Sequence, residues 1–117
     1  MKISEIKRLL NADVLCGDEQ LEDEVNSAFG SDMMSDVLAF VQDRCILLTG
    51  LVNAQVIRTA EMMDMPCIVF VRGKRPSEDM IKLAREMNMV VLSSKRRMYD
   101  ACGVLFVHGL NGNGDVL

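Results

Sequence analysis

Three short apolar segments, separated by two stretches of helical pattern, constrain the fold of this chain more than any other feature. They cover residues 45–48, 67–71 and 89–92 and are rich in Val, Ile and Leu. Fully apolar segments of strand length that alternate with amphipathic helices are typical of parallel strands covered on both faces. The pattern therefore predicts an α/β fold, a single layered domain in which helices flank a mostly parallel sheet.

The two strand–helix units of this region resemble each other. Gly50 and Gly73 are 23 residues apart, and the segments that begin at Ala60 and Ala84 align at a distance of 24. We interpret them as a duplicated strand–loop–helix unit with one residue inserted. Two copies of so short a period are too few for a solenoid.

The remaining sequence adds elements on both sides of this region. Upstream, the patterns predict a helix capped by Ser4, a strand at 13–15, an acidic loop or turn at 18–24, a strand within 24–29, and a helix capped by Ser31 or Asp32. Downstream, they predict a helix from Lys95 that ends at Gly103, then a closing strand at 104–107. Residues 1–110 are thus predicted to form one domain, and residues 111–117 a flexible tail.

Length and composition limit the class of protein. The 117 residues suffice for one domain with a core, and half of them are hydrophobic, which argues against disorder. The net charge of −4 argues against nucleic acid or an anionic membrane as partner. Neither an apolar segment of 18 residues nor a cleavable leader is present, so we expect a soluble, cytoplasmic protein.

The sequence contains none of the usual catalytic and metal-binding motifs. The four cysteines have no C-x-x-C spacing and only His108 could join them, so we predict free thiols and no metal site. Gly73-Lys74 lacks the other residues of a P-loop, and the glycines from Gly109 onward open no helix. His108 has no evident partner. We therefore predict no catalytic residue and no cofactor.

Basic and glycine residues follow the three central strands. Parallel strands deliver these loops to one edge of the sheet, which is where ligands bind in open α/β sheets. We expect the amides of Gly50 and Gly73, with helices that begin shortly after them, to face an anion. The alternative is a solvated basic rim. The predicted ligand-binding residues are Thr49, Gly50, Asn53, Arg72, Gly73, Lys74, Ser94 and Lys95.

The same residues resemble the DRTGG domain family. Met34-Ser35 and Leu48-Thr49-Gly50 occupy the places of that family's helix start and first glycine loop. Gly73, Pro76, Ala84 and Val90 match the pattern of its second half. The resemblance spans the chain from about Ile3 to Phe106. Leu51-Val52 stand where the family has Asp-Arg after the loop glycine.

The resemblance implies a fold similar to the N-terminal domain of HPr kinase/phosphorylase and to the accessory domain of phosphotransacetylases. It also implies a regulatory or assembly module that self-associates. Together with the basic loops and the missing catalytic motifs, it leads us to expect a stand-alone module without catalytic activity, which forms a homodimer, contacts a partner protein and binds an anionic small molecule. The alternative is a sensor of nucleotides or phosphometabolites. A weaker alternative is an enzyme of the "serine kinase" type, against which the missing P-loop argues.

Overall fold

Five strands and five α-helices make up the part of the chain that the computed structural model describes, residues 1–41 and 44–112. In chain order they are α1 (Ile3–Leu10), β1 (Asp13–Cys16), β2 (Ser27–Gly30), α2 (Met34–Phe40), β3 (Cys45–Thr49), α3 (Ala54–Met62), β4 (Cys67–Phe70), α4 (Glu78–Glu86), β5 (Val90–Ser93) and α5 (Met98–Val107). A short 3-10 helix, Asp18–Gln20, lies in the acidic segment. No helix among these residues is long and apolar enough to cross a membrane.

The strands form one sheet in the order β1-β5-β4-β3-β2. The four strands from β2 to β5 are parallel, and β1 pairs antiparallel with β5 at the edge. Every residue of β3, β4 and β5 is buried, as the apolar segments predicted. The predicted α/β fold with a mostly parallel sheet is confirmed.

The helices cover both faces of the sheet. On one face, α1 and α5 pack through Ile3, Ile6 and Leu105 against alternate residues of the central strands. On the other face, α2, α3 and α4 pack against the intervening residues, with Phe70 among the largest buried side chains. Burial on both faces explains why the central strands are apolar throughout.

The duplicated units end their helices in the same way. The amide of Met65 donates to the carbonyl of Ala60, and the amide of Met89 donates to that of Ala84. The residue before each methionine, Asp64 or Asn88, has a positive φ of 55° or 54°. The alignment at 24 residues therefore joins positions with the same conformation.

Side chains cap α3 and α4, whereas the caps predicted for α1 and α2 are not observed. Asn53 and Ser77 accept hydrogen bonds from the amides of Val56 and Met80 at the starts of α3 and α4. By contrast, Lys2 precedes α1, so Ser4 lies inside that helix. Met33 precedes α2, and Ser31 binds its amide from outside the helix.

The prediction of a strand at 104–107 was wrong. Helix α5 continues through Gly103, because Ala101 and Leu105, four residues apart, both point to the sheet and are buried. The helix ends at Val107, and Gly109, whose φ is 102°, turns the chain just beyond it. The amides of Gly109 and Leu110 donate back to the carbonyls of Phe106 and Leu105. This hydrogen-bond pattern is the Schellman motif.

Both ends of the described chain lie beside β2. The ammonium group of Met1 donates to the carbonyl of Val25 at 2.9 Å, and the amide of Val25 donates to the carbonyl of Met1 at 2.8 Å. The amide of Ala28 donates to the carbonyl of Asn111 at 3.0 Å. Residues 113–117 of the predicted tail lie outside the described residues.

Candidate functional site

The residues that follow β2, β3, β4 and β5 meet at one edge of the sheet, which we call the carboxyl edge. Because β1 is antiparallel, its first residue, Asp13, lies opposite Ser93 and joins this edge as well. The apolar pattern of the sequence carries no information on the direction of β1. For that reason, the residues around Asp13 were absent from the predicted site.

Asp32 occupies the position at which we expected an anionic ligand. Its Oδ1 accepts hydrogen bonds from the Gly50 amide at 2.7 Å and from the Thr49 hydroxyl at 3.0 Å. The Gly50 amide is therefore satisfied by a carboxylate of the chain itself. Asp32 was predicted to cap a helix, but it ties the end of β2 to the end of β3.

The second predicted amide is also engaged within the protein. Arg72 and Gly73 both have positive φ values, 58° and 69°, which turn the chain sharply after β4. Their amides donate to the carbonyls of Arg96 at 2.8 Å and Ser94 at 2.9 Å. The expectation that Gly50 and Gly73 offer amides to a ligand was wrong, so side chains have to supply any anion contact.

Gly50 serves a different purpose. A Cβ placed on Gly50 would lie 2.7 Å from Nη2 of Arg72, so the guanidinium group lies directly against the glycine. A larger residue would displace this side chain. The glycine thus leaves room for the Arg72 guanidinium in this position.

A cavity of about 420 Å³ opens beside this guanidinium, between the ends of β2, β3 and β4 and the start of α5. We call it the Arg72 cavity. Neither Arg72 nor Arg97 forms an ion pair with another described residue. Its lining residues are Gly30, Ser31, Asp32, Gly50, Val71, Arg72, Arg97, Met98 and Tyr99.

A second cavity, of about 320 Å³, lies between the α1–β1 turn and the end of β5. We call it the Lys95 cavity. Asp13 and Arg75 form an ion pair in its wall, whereas no described carboxylate pairs with Lys95 or Arg96. Its lining residues are Leu10, Asn11, Asp13, Gly73, Arg75, Ser93, Lys95 and Arg96.

The eight predicted residues are divided among different places on the carboxyl edge. Gly50 and Arg72 line the Arg72 cavity, and Gly73 and Lys95 line the Lys95 cavity. Asn53 caps α3 and borders a wide groove between α3 and α4.

Three of the eight line none of these cavities. Thr49 and Ser94 are buried and donate to Asp32 and to the carbonyl of Leu10 at 2.8 Å. Lys74 is exposed.

No cysteine or histidine side chain of the described residues lines either of the two cavities. Burial raises the pKa of the Cys16, Cys67 and Cys102 thiols. His108 lies just beyond α5, with Nδ1 2.8 Å from the carbonyl oxygen of Val104. Within residues 1–41 and 44–112, no three His, Cys, Asp or Glu side chains are grouped so that they could hold a metal ion.

Comparisons with known proteins agree on one relationship. The family model of the DRTGG domain matches residues 5–105. No curated protein matches the sequence. Among solved structures, the chain is similar to the CBS and DRTGG domains of the regulatory region of Clostridium perfringens pyrophosphatase, complexed with its activator diadenosine tetraphosphate. The TM-score is 0.74 at 17% identity, over 89% of this chain and 45% of that one.

Proposed function

The chain belongs to the DRTGG domain family, and on this premise we propose that residues 1–110 form a regulatory module that binds an anionic small molecule. The observation that carries the proposal is the placement of unpaired cations. The molecule has a net charge of −4, yet Arg72, Arg97 and Lys95 line cavities at the carboxyl edge and pair with no carboxylate of residues 1–41 and 44–112. Such cations are available for charge-assisted hydrogen bonds to phosphate or carboxylate oxygens.

The similar structure supports a regulatory role. It is the regulatory region of a pyrophosphatase, and it contains CBS domains in addition to a DRTGG domain. Since this chain covers less than half of it, the likeness does not indicate which of its domains holds the activator. The regulatory role is therefore our proposal for the fold, and the ligand has to be argued from this chain's own residues.

The module is proposed to act without catalysis. Enzymes of covalent catalysis place a nucleophile within hydrogen-bond reach of a base. Among the described residues, the thiols with raised pKa values are buried or half-buried, and His108 hydrogen-bonds to the backbone of α5. Regulation would then act through binding. In this proposal the module binds a second copy of the chain and a partner protein in addition to the small molecule.

A sensor of nucleotides or phosphometabolites is the second candidate. It is favoured by the activator of the similar pyrophosphatase region, which is a nucleotide. A general anion-binding module accepts many phosphate compounds with similar affinity, whereas a sensor has one preferred ligand. The two candidates therefore differ in selectivity.

Thermal shift measurements against inorganic phosphate, sugar phosphates and nucleotides test the proposal. A ligand at 100 times its Kd stabilises the folded chain by about 2.7 kcal/mol, which raises Tm by about 10 °C for a domain of this size. Arg72→Ala should weaken binding about tenfold if the ligand lies in the Arg72 cavity, and Lys95→Ala if it lies in the Lys95 cavity. Arg8→Ala, on α1, is the control. The absence of a shift with every compound would contradict ligand binding.

A further inference from the structure

The Arg72 cavity holds opposite charges that do not pair with each other. Arg72, Arg97 and Asp32 all line it, yet none of the ion pairs of the described residues joins Asp32 to either arginine. The Arg72 guanidinium lies beside Gly50, and Oδ1 of Asp32 accepts hydrogen bonds from Thr49 and Gly50. Unpaired groups of opposite charge that line one cavity suit a ligand that carries both an anionic group and hydrogen-bond donors.

Asp32 has one oxygen anchored and one available. Both hydrogen bonds from β3, from the Thr49 hydroxyl and the Gly50 amide, reach Oδ1. No described residue donates to Oδ2, and the side chain is exposed. An ionised carboxylate accepts hydrogen bonds only. The cavity therefore presents one oriented acceptor, which fits a hydroxyl group of a ligand.

Tyr99 supplies a planar surface at the mouth of the cavity. Its side chain is 87% exposed, although it lies on the first turn of α5 beside Arg97. An exposed tyrosine ring has an apolar face on which a planar ring can stack. Base stacking on aromatic side chains tolerates every base, because each base has a π-face.

We propose that the Arg72 cavity binds a phosphorylated ribonucleoside. The phosphate is held by Arg72 and Arg97, a ribose hydroxyl donates to Oδ2 of Asp32, and the base stacks on Tyr99. The cavity volume of about 420 Å³ falls within the range of small-ligand sites. This inference rests on the proposed function and names the ligand class and its contacts.

The Lys95 cavity lacks the same combination. Its carboxylate, Asp13, forms an ion pair with Arg75. Among its described lining residues there is no aromatic side chain on which a base could stack. A phosphate without a base would therefore fit it equally well, whereas Tyr99 lets the Arg72 cavity distinguish a nucleotide from a phosphate without a base.

Three probes test the three contacts separately by calorimetry: AMP, 2′,3′-dideoxyadenosine 5′-monophosphate and ribose 5-phosphate. Arg72→Ala and Arg97→Ala should each weaken AMP binding about tenfold. Arg8→Ala, which removes a cation on α1 that lines neither cavity, should leave AMP binding unchanged. Tyr99→Ala should weaken AMP about tenfold and leave ribose 5-phosphate unchanged.

The hydroxyl contact is tested with Asp32→Asn. Asparagine retains an Oδ1 acceptor for Thr49 and Gly50 and replaces the free oxygen by an amide nitrogen, so the fold should persist. The native chain should bind AMP about tenfold more tightly than the dideoxy analogue. In the variant this ratio should fall to about one. Asp23→Asn, which removes the same charge from an exposed site, is the control and should keep the native ratio.

The results separate this inference from the proposed function. An unchanged ratio in Asp32→Asn would overturn the inference, as would failure to detect AMP binding at Kd values on the order of 1 mM while another anion of the screen binds. In both cases anion binding by the module would stand. If no anion of the screen binds, both proposals fall.

Discussion

Individual glycines in this fold have opposite structural roles. Gly17 has a φ of 89°, and a Cβ on it would lie 2.7 Å from the Cα of Val90. Gly103 lies within α5, and a Cβ on it would meet nothing within 4 Å. Position 17 requires glycine both because of the positive φ and because a Cβ has no space there. At position 103 glycine only lowers stability, because it loses more conformational entropy on folding than another residue would.

Gly17→Ala and Gly103→Ala should consequently change stability in opposite directions. We expect Gly17→Ala to lower the free energy of unfolding by about 3 kcal/mol, through strain and a backbone clash. Gly103→Ala should raise it by about 0.5–1 kcal/mol. Urea denaturation of both variants and the native chain measures the two changes. The comparison is made at a concentration at which the chain is a single copy, where a destabilised Gly103→Ala would contradict the open space beside this residue.

The residues of the candidate site were only partly predictable from sequence. Arg72 and Lys95 could be placed at the carboxyl edge, because parallel strands bring their following loops together. The bonds from Thr49 and Gly50 to Asp32 join residues 17 and 18 positions apart. Side-chain contacts of this kind depend on how β2 pairs with β3, which no local pattern specifies. Asp32 and Tyr99 were therefore missed.

Among the elements, α5 shows how a local pattern can mislead. The sequence Val-Leu-Phe-Val has high strand propensity, and Gly103 before it resembles a helix stop. In the structure, the spacing of Ala101 and Leu105 decides the outcome, because both pack on the sheet as parts of one helix. The true stop is Gly109, where the positive φ is found. Tertiary packing overrode the propensity of four residues.

Strand β4 begins with a thiol whose titration couples to folding. Burial raises the pKa of Cys67 above its ordinary value. The neutral thiol is favoured in the folded chain, so this stability is fully present below the ordinary pKa. It is lost as pH rises above that value, where the unfolded chain releases its proton.

The free energy of unfolding should therefore fall between about pH 8.5 and 10, by up to about 1.4 kcal/mol per pH unit for Cys67. Urea denaturation across this range measures the slope. Cys67→Ala should be less stable at neutral pH and show a shallower slope, since one coupled thiol is gone. An equal slope in the variant and the native chain would contradict the coupling.

At the scale of the whole molecule, the fold followed from the sequence more completely than the site did. Alternating apolar and amphipathic segments specified the layers and the parallel core. The direction of β1 was not encoded in this way, and it adds Asp13, which pairs with Arg75, to the carboxyl edge. The predicted single site consequently became two cavities.

The proposed homodimer is a property of the whole molecule as well. Helix α5 is apolar on its outer side too, where Phe106 and Val107 are 49% and 77% exposed. A helix that is hydrophobic all round is normally covered, and we expect a second copy of the chain to cover it. Sedimentation equilibrium at micromolar concentration should give twice the chain mass of 13.0 kDa.

Val107→Glu should shift this equilibrium toward the single chain, because it places a charge in an apolar contact. Lys82→Glu, on the exposed surface of α4, is the matched control and should leave the mass unchanged. A native protein of 13.0 kDa at micromolar concentration would contradict the dimer.

The positions of the two described chain ends relative to the Arg72 cavity have a consequence for signalling through this domain. Met1 and Asn111 both attach beside the start of β2, whereas Asp32 and the Arg72 cavity follow its end. Val25 and Ser31 are separated by roughly 20 Å of extended chain. The described part of the chain therefore begins and ends at the same place, remote from the Arg72 cavity. We expect a change at this cavity to reach that place through β2 and through α5, whose first turn lines the cavity and whose end precedes Asn111.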